Sequence, residues 1–221
     1  MNPNLSALQL ALSLFLPRLP SALLITVEVT VSAGAIGLSL GLVLALFRLS
    51  PSRILSSAAR LVIDIVRVIP IPPFLYLVYF GFLVTPTKLS PEMAGTIALG
   101  VLLAPYMAEL YRSGIQSVDT GKVEAGLALG MSPWLIRTRI VFPVAIRVML
   151  PAIGQTLVGT LLDSSFVAVL GGTDVTGIGR RMVNTFFATY LWFVIAAIYF
   201  ILSFPISRAF SYVERRMSTY L

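Results

Sequence analysis

The sequence offers few side chains capable of chemistry. It contains neither cysteine nor histidine, which excludes disulfides, thiol nucleophiles, thiolate or imidazole metal sites and histidine acid–base catalysis. Ionisable residues inside apolar runs remain, and Asp163, followed by Ser164 and Ser165, is the most informative of these. A charged group in hydrocarbon costs at least about 2.5 kcal/mol. Asp163, near the middle of its apolar run, therefore predicts either a polar solute pathway or a structural hydrogen-bond network between helices.

Other intramembrane charges occur at a spacing that suits ion pairs. Asp64 and Arg67 are three residues apart, as are Glu109 and Arg112, and residues at this spacing share one face of a helix. We expect a structural pair in each case, the first at a kink in its helix. Glu28 has no obvious local partner, and either a polar network or a partner subunit would satisfy it.

The sequence contains no phosphate-binding loop motif. Residues 114–122 end in Gly-Lys, but six residues instead of four separate the glycines, and Val123 replaces the serine or threonine. No cofactor is expected on this chain. Any ATP hydrolysis linked to its function would have to come from a partner.

The composition predicts a polytopic membrane protein. The 221 residues are 57% hydrophobic and 11% charged, whereas soluble domains carry about 25% charged residues. The sixteen Lys and Arg residues lie between apolar runs and not in one stripe, which argues against nucleic-acid binding. Runs of about 20 apolar residues predict five membrane-spanning helices. They cover residues 21–47, 58–84, 91–115, 147–170 and 186–210.

Two segments depart from simple spans. The second span contains Pro70, Pro72 and Pro73, so its helix must kink or break where the freed carbonyls can be satisfied. Residues 116–146 are too polar to cross a bilayer but remain compatible with helix. Within them Gly130 is a candidate left-handed C-cap, and Ser132 with Pro133 suits the start of a helix. Two short helices meeting at a sharp corner are predicted.

The basic residues predict an orientation, because they are retained on the cytoplasmic side. With the N-terminus outside, eleven basic residues flank the spans on the cytoplasmic side and four on the outside. The eleven are Arg48, Arg53, Arg60, Arg112, Lys122, Arg137, Arg139, Arg147, Arg208, Arg215 and Arg216, and the four are Arg18, Lys88, Arg180 and Arg181. The chain is predicted to comprise an N-terminal interfacial segment (1–20), a transmembrane domain (21–214) and a cytoplasmic tail (215–221).

Several motifs resemble those of the permease subunits of binding-protein-dependent ABC importers. Residues 124–130 (Glu-Ala-Gly-Leu-Ala-Leu-Gly), followed by Pro143, are similar to the cytoplasmic signature loop of that family. Residues 67–70, 106–116, 162–166 and 171–174 resemble further segments of the polar amino acid branch, which transports histidine, glutamine, glutamate, arginine and opines. The resemblance covers nearly the whole chain.

The resemblance implies a type I importer permease that translocates a polar amino acid or similar small solute across the inner membrane. It implies a second permease subunit, an ATP-binding cassette ATPase homodimer carrying ATP and Mg²⁺, and an extracytoplasmic solute-binding protein. Coupling to the ATPase would involve Glu124, Ala125, Gly126, Ala128, Leu129, Gly130, Ser132 and Pro133. The solute pathway would involve Asp163, Ser164, Ser165, Arg67, Pro70 and Tyr106.

Two other classes of function were weighed against this one. An ion-gradient-driven transporter or channel would use Glu28, Asp64 and Asp163 as ion or proton sites. It would favour broken helices in two inverted halves, whereas the sequence shows one broken span and no repeat. A membrane-embedded enzyme is disfavoured, because the chain has no histidine, no cysteine and no cluster of convergent acids outside the spans.

Overall fold

A computed structural model describes residues 3–83 and 88–218, and the described chain is helical without β-strands. The α-helices are α1 (Pro3–Phe15), α2 (Leu19–Arg48), α3 (Arg53–Arg67), α4 (Ile71–Leu83), α5 (Pro91–Gln116), α6 (Thr120–Ala128), α7 (Pro133–Ile136), α8 (Phe142–Asp163), α9 (Val175–Phe186) and α10 (Leu191–Ser218). A π-helical segment joins α7 to α8, and 3₁₀ segments follow α1 and α8.

The long helices α2 and α5 form the centre of the bundle, and α8 packs beside them. Glycines on α2 allow the close approach. A Cβ on Gly37 would lie 2.5 Å from the Leu103 side chain, and a Cβ on Gly41 would lie 2.8 Å from the Ala104 carbonyl oxygen. Gly37 and Gly41 therefore belong to a face of α2 whose small residues let α5 pack closely.

Gly41→Ala is expected to destabilise the bundle by about 1–3 kcal/mol, because the new methyl group would meet backbone atoms of α5 that cannot move aside. Thermal unfolding of the detergent-solubilised protein measures the effect. Gly81→Ala is the matched control, since a Cβ at Gly81 has no neighbour within 4 Å. Equal unfolding temperatures for the two variants would contradict this packing argument.

The second predicted span is broken, as its prolines require. Helices α3 and α4 meet at an angle of 103° across a break of a few residues, and the exposed Pro70 lies within it. The predicted end of this span, residue 84, lies outside the described residues. Four described helical runs are long and apolar enough to cross a membrane, and the bent pair gives a fifth. The five-span, all-α fold class agrees with this arrangement.

The ends of the later spans differ from the prediction. The fourth predicted span contains two kinds of helix, since α8 ends at Asp163 and a 3₁₀ segment continues from Ser164 to Leu170. Asp163 thus lies at the junction of these two segments. The fifth span begins at Leu191 instead of residue 186, because α9 precedes it and ends at Phe186, with Phe187 as its C-cap in the left-handed conformation (φ 53°).

The described part of the N-terminal segment, residues 3–20, packs against the bundle. Helix α1 continues through a 3₁₀ turn into α2, and together they form an apolar run from Ala7 to Arg48. Ala11 and Phe15 are fully buried in a cluster with Val175 and Leu191. This segment therefore packs against α9 and α10.

Candidate functional site

A small cavity lies between the α3–α4 break, α5 and α8. Its volume is about 220 Å³ and most of its lining is aliphatic. The polar side chains that line it belong to Tyr106, Thr156, Thr160 and Asp163. Such a cavity, apolar with a few convergent polar groups, has the character of a small-molecule site.

Asp163 is the acidic residue that lines the cavity, and it is the last residue of α8. It is half-buried and has no hydrogen bond to any described residue, so its carboxylate is available to a ligand. Ser164 has a structural contact instead, because its buried hydroxyl donates to the Leu161 carbonyl over 2.7 Å. Neither Ser164 nor Ser165 lines the cavity. Of the three adjacent residues predicted for the pathway, only Asp163 reaches it.

Arg67 does not line the cavity itself but contacts Tyr106, which does. Its guanidinium carbon is 5.1 Å from the centre of the Tyr106 ring, within the range of a cation–π contact. The predicted Arg67–Asp64 ion pair is wrong: both side chains are exposed, and neither makes an ion pair in the described part of the chain. Arg67 is the last residue of α3, and its side chain extends toward Tyr106 on α5. The predicted pair between Glu109 and Arg112 is confirmed, at 2.7 Å.

Pro70 does not line the cavity, but it belongs to the break whose flanking residues do. Ile69 and Ile71 both contribute to the lining. The 103° bend between α3 and α4 brings them there. Pro70 is therefore a candidate for shaping the cavity through the backbone, not through a contact with solute.

The second predicted site, the polar segment, forms the corner between α6 and α7. Gly130 has φ +75°, as the sequence predicts. Its N–H donates to the Leu127 carbonyl (2.9 Å), and the Met131 N–H donates to the Gly126 carbonyl (3.1 Å). This pair of hydrogen bonds is the Schellman motif that ends a helix at a left-handed glycine. Ser132 then caps α7 by accepting from the Leu135 N–H.

The outer surface of this corner is not made of small residues alone. Gly126 is buried, and a Cβ there would lie 3.0 Å from Ile140, so it packs inward against the segment after α7. Leu129 and Trp134 are instead 81% and 70% exposed. The other predicted coupling residues are exposed as well: Glu124, Ala125, Ala128, Gly130, Ser132 and Pro133. The corner therefore presents large apolar side chains beside small ones.

A groove of about 810 Å³ runs between this corner and the turn that joins α2 to α3. Its lining includes Leu49 and Pro51 from the turn, and Leu127 and Ile136 from the corner. The α2–α3 turn, the corner and the start of α8 thus lie at one end of the bundle. The corner and the turn thus face each other across the groove, and the corner continues into α8 through the π-helical segment.

A buried polar cluster at the start of α9 was not singled out as a site by the sequence. Asp174 is fully buried and caps α9, with Oδ2 accepting from the Thr176 N–H (3.0 Å), while Oδ1 has no partner among the described residues. Thr176 in turn donates its hydroxyl proton to the Tyr199 hydroxyl (3.1 Å). An aspartate directly before an amphipathic stretch is the signal that could have revealed this cap.

Burial is the main cause that raises the pKa of Asp174 to about 6, and the nearby Glu92 carboxylate contributes to this increase. The folded pKa lies above the unfolded value, so stability from the protonated form is lost as pH rises from about 4 to 6. Asp174→Asn keeps a capping oxygen without a charge. We expect it to stabilise the protein at pH 8 by up to about 3 kcal/mol and to have little effect at pH 4. Thermal unfolding at both pH values measures this, and equal differences at the two would contradict it.

The described residues contain no group of three or more acidic side chains placed to hold a metal ion. A helical bundle with apolar spans, a small and mostly apolar cavity beside a broken helix, and a helical corner outside the spans fits a membrane transport subunit. Residues 37–219 match the family described as the binding-protein-dependent transport system inner membrane component, and the chain belongs to this family.

Relatives and solved structures agree with this assignment. The chain is 34% identical to the nopaline transport system permease protein of Agrobacterium fabrum, over 87% of this chain and 84% of that one. It is also 34% identical to a glutamate/aspartate import permease protein of Escherichia coli, over 91% and 94%. A crystal structure of an amino acid ABC transporter with histidines superposes with a TM-score of 0.86, at 32% identity over 94% of this chain and 97% of that one. The predicted family is thus confirmed, and nothing supports the ion-gradient alternative.

Proposed function

We propose that this chain carries a polar amino acid, or a similar small solute, as one permease half of an ATP-driven importer. The observation that carries this proposal is the cavity, where the unpaired Asp163 carboxylate lies among apolar walls together with Tyr106. A carboxylate without a protein partner suits the ammonium group of an amino acid, and the apolar walls would strengthen that attraction. The relatives named for amino acids and opines support the same solute class.

The cavity is small for a complete solute pathway. This chain would therefore supply only part of the pathway walls, and a second permease subunit would supply the rest. We propose a second permease subunit, the same or homologous, and an ATPase homodimer that holds ATP and Mg²⁺. An extracytoplasmic solute-binding protein would deliver the solute, and the family name, which describes a binding-protein-dependent transport system, supports such a partner.

The proposed orientation places the N-terminus outside and the C-terminus in the cytoplasm of an inner-membrane protein. Eleven of the basic residues flank spans on the side of the corner under this orientation, and four lie on the other side. The corner between α6 and α7 would then face the ATPase. ATP-driven closure of the ATPase would move the corner, and the cavity would open alternately to the two sides.

A reporter fused after Leu221 is expected to report the cytoplasm, and one inserted next to the exposed Lys88 is expected to report the outside. The physical reason is the retention of basic residues on the cytoplasmic side. Activity of paired reporters that work only in one compartment measures the topology. A C-terminal reporter active outside would contradict the orientation and the proposed position of the corner.

The proposed function is tested by purifying the full-length chain together with its native partners and reconstituting the complex in vesicles. We expect an ATPase to co-purify, and we expect ATP-dependent uptake of radiolabelled amino acids in the presence of the binding protein. Uptake driven by a proton or sodium gradient without ATP would contradict the proposal. Uptake of another solute class in preference to amino acids would contradict the solute assignment alone.

A further inference from the structure

A pocket lined by arginine lies at the turn between α2 and α3. Its volume is about 290 Å³, and we refer to it as the arginine pocket. It is lined by Arg48, Ser50, Pro51, Arg53, Ser56, Ser57 and Arg60. No acidic side chain contributes to the lining, so the pocket is strongly cationic.

Only one of the three arginines is used by the protein itself. Arg48 donates to the Ser56 hydroxyl oxygen over 2.9 Å, and that hydroxyl donates to the Arg48 carbonyl oxygen over 3.0 Å, which fixes α3 against the end of α2. Arg53 and Arg60 make no hydrogen bond or ion pair with any described residue. Two guanidinium groups without a counter-charge, beside several hydroxyl groups, fit a phosphate, because the guanidinium fork matches phosphate oxygens.

The surroundings of the pocket favour a phosphate that belongs to a lipid. Arg48 is the last residue of the apolar run that begins at Ala7, so the pocket lies where a span leaves the hydrocarbon. Aliphatic side chains next to it are exposed: Ile54 by 82% and Leu46 by 58%. These side chains would contact acyl chains while the arginines contact the headgroup, as in basic pockets that hold anionic lipids between membrane helices.

The arginine pocket is connected to the corner between α6 and α7. Ser50 and Pro51 line the pocket on one side and the groove toward the corner on the other. A ligand that holds the α2–α3 turn in place would therefore also support the groove. This second consequence rests on the proposed coupling function of the corner, whereas binding itself does not.

We propose that the arginine pocket binds the phosphate headgroup of an anionic phospholipid and thereby stabilises the turn that lines the groove beside the corner. The shared chemistry is a phosphate group, which could come from a lipid or from free phosphate. The lipid is the source that the exposed aliphatic side chains favour.

Binding is tested with the full-length chain in detergent micelles, by native mass spectrometry and by thermal unfolding. The added probes are phosphatidylglycerol, zwitterionic phosphatidylcholine and inorganic phosphate. Retained phosphatidylglycerol and a raised unfolding temperature are expected, with little effect of the other two probes. The double variant Arg53→Gln/Arg60→Gln is expected to weaken phosphatidylglycerol binding by about tenfold or more. Arg53→Lys/Arg60→Lys should retain part of the binding, since charge remains without the fork.

The matched control is Arg208→Gln/Arg216→Gln, which removes the same charge from α10, outside the pocket. Equal loss of phosphatidylglycerol in control and pocket variants would overturn the site in favour of general surface charge. Equal stabilisation by inorganic phosphate would overturn the lipid source. Phosphatidylglycerol binding that is unchanged in the glutamine variant, with normal unfolding, would overturn the pocket. None of these outcomes depends on transport, so each is distinguishable from failure of the proposed importer function.

Discussion

Gly130→Val is expected to reduce solute-stimulated ATP hydrolysis in the assembled complex by at least about tenfold, while the spans still insert. Gly130 has φ +75°, and an L-residue in the left-handed conformation costs about 1–2 kcal/mol, with a β-branched side chain among the least tolerated. The valine would break the two hydrogen bonds of the Schellman motif and tilt α7 away from its position. Rates of ATP hydrolysis with and without solute measure the effect.

Steric conflict within the chain cannot explain such a loss, because a Cβ at Gly130 meets no atom within 4 Å. The effect must come from the backbone, and this makes asparagine a sharp control. Asparagine tolerates the left-handed conformation. Gly130→Asn should therefore retain most of the coupling, although it adds a polar side chain where glycine has none. If Gly130→Asn and Gly130→Val lose coupling equally, the partner surface is sensitive to volume and the backbone argument fails. Full coupling in Gly130→Val would show that the corner is only a connecting loop.

The structure also indicates which side chains of the corner would touch an ATPase. Leu129 and Trp134 are the most exposed large apolar residues there, whereas Gly126 is turned inward. Exposed apolar side chains of this size normally mark an interface. Among the small residues of the signature, Gly126 thus has a role within the chain, because it lets α6 pack closely against Ile136 and Ile140.

Features determined by local chemistry were predictable from the sequence. The five apolar runs, the break at three prolines and the left-handed glycine each follow from a composition or a backbone preference that acts within a few residues. The Ser132 cap is of the same kind. These features place the corner correctly without knowledge of any tertiary contact.

Features determined by packing were not predictable in this way. Arg67 could reach Asp64 on its own helix, but the end of α3 brings it over Tyr106, a residue of α5. Asp174 is important because it is fully buried, next to Val175, which packs with residues of α1 and α10. The sequence did not predict helix α9, because it is short and contains two arginines. Its apolar face becomes evident only from its packing against α1 and α10. Each error concerns a contact between segments far apart in sequence.

Asp163→Asn is expected to raise the solute concentration needed for half-maximal uptake by about tenfold or more, because a charge-assisted hydrogen bond contributes about 1.5–3 kcal/mol. The carboxylate has no partner among the described residues, so its loss leaves no protein group unsatisfied and should not prevent assembly. Uptake by reconstituted vesicles measures the change.

Asp64→Asn provides the matched control, since Asp64 is also an unpaired acid on a spanning helix but does not line the cavity. Asp64→Asn should show the same uptake rate and the same half-maximal solute concentration as the unchanged protein. The two sites are then separable by experiment: Gly130→Val lowers coupled hydrolysis at every solute concentration, whereas Asp163→Asn is overcome by more solute. An Asp163→Asn complex that assembles and transports every tested amino acid with unchanged affinity and rate would remove Asp163 from the pathway and leave it a structural residue at the end of α8.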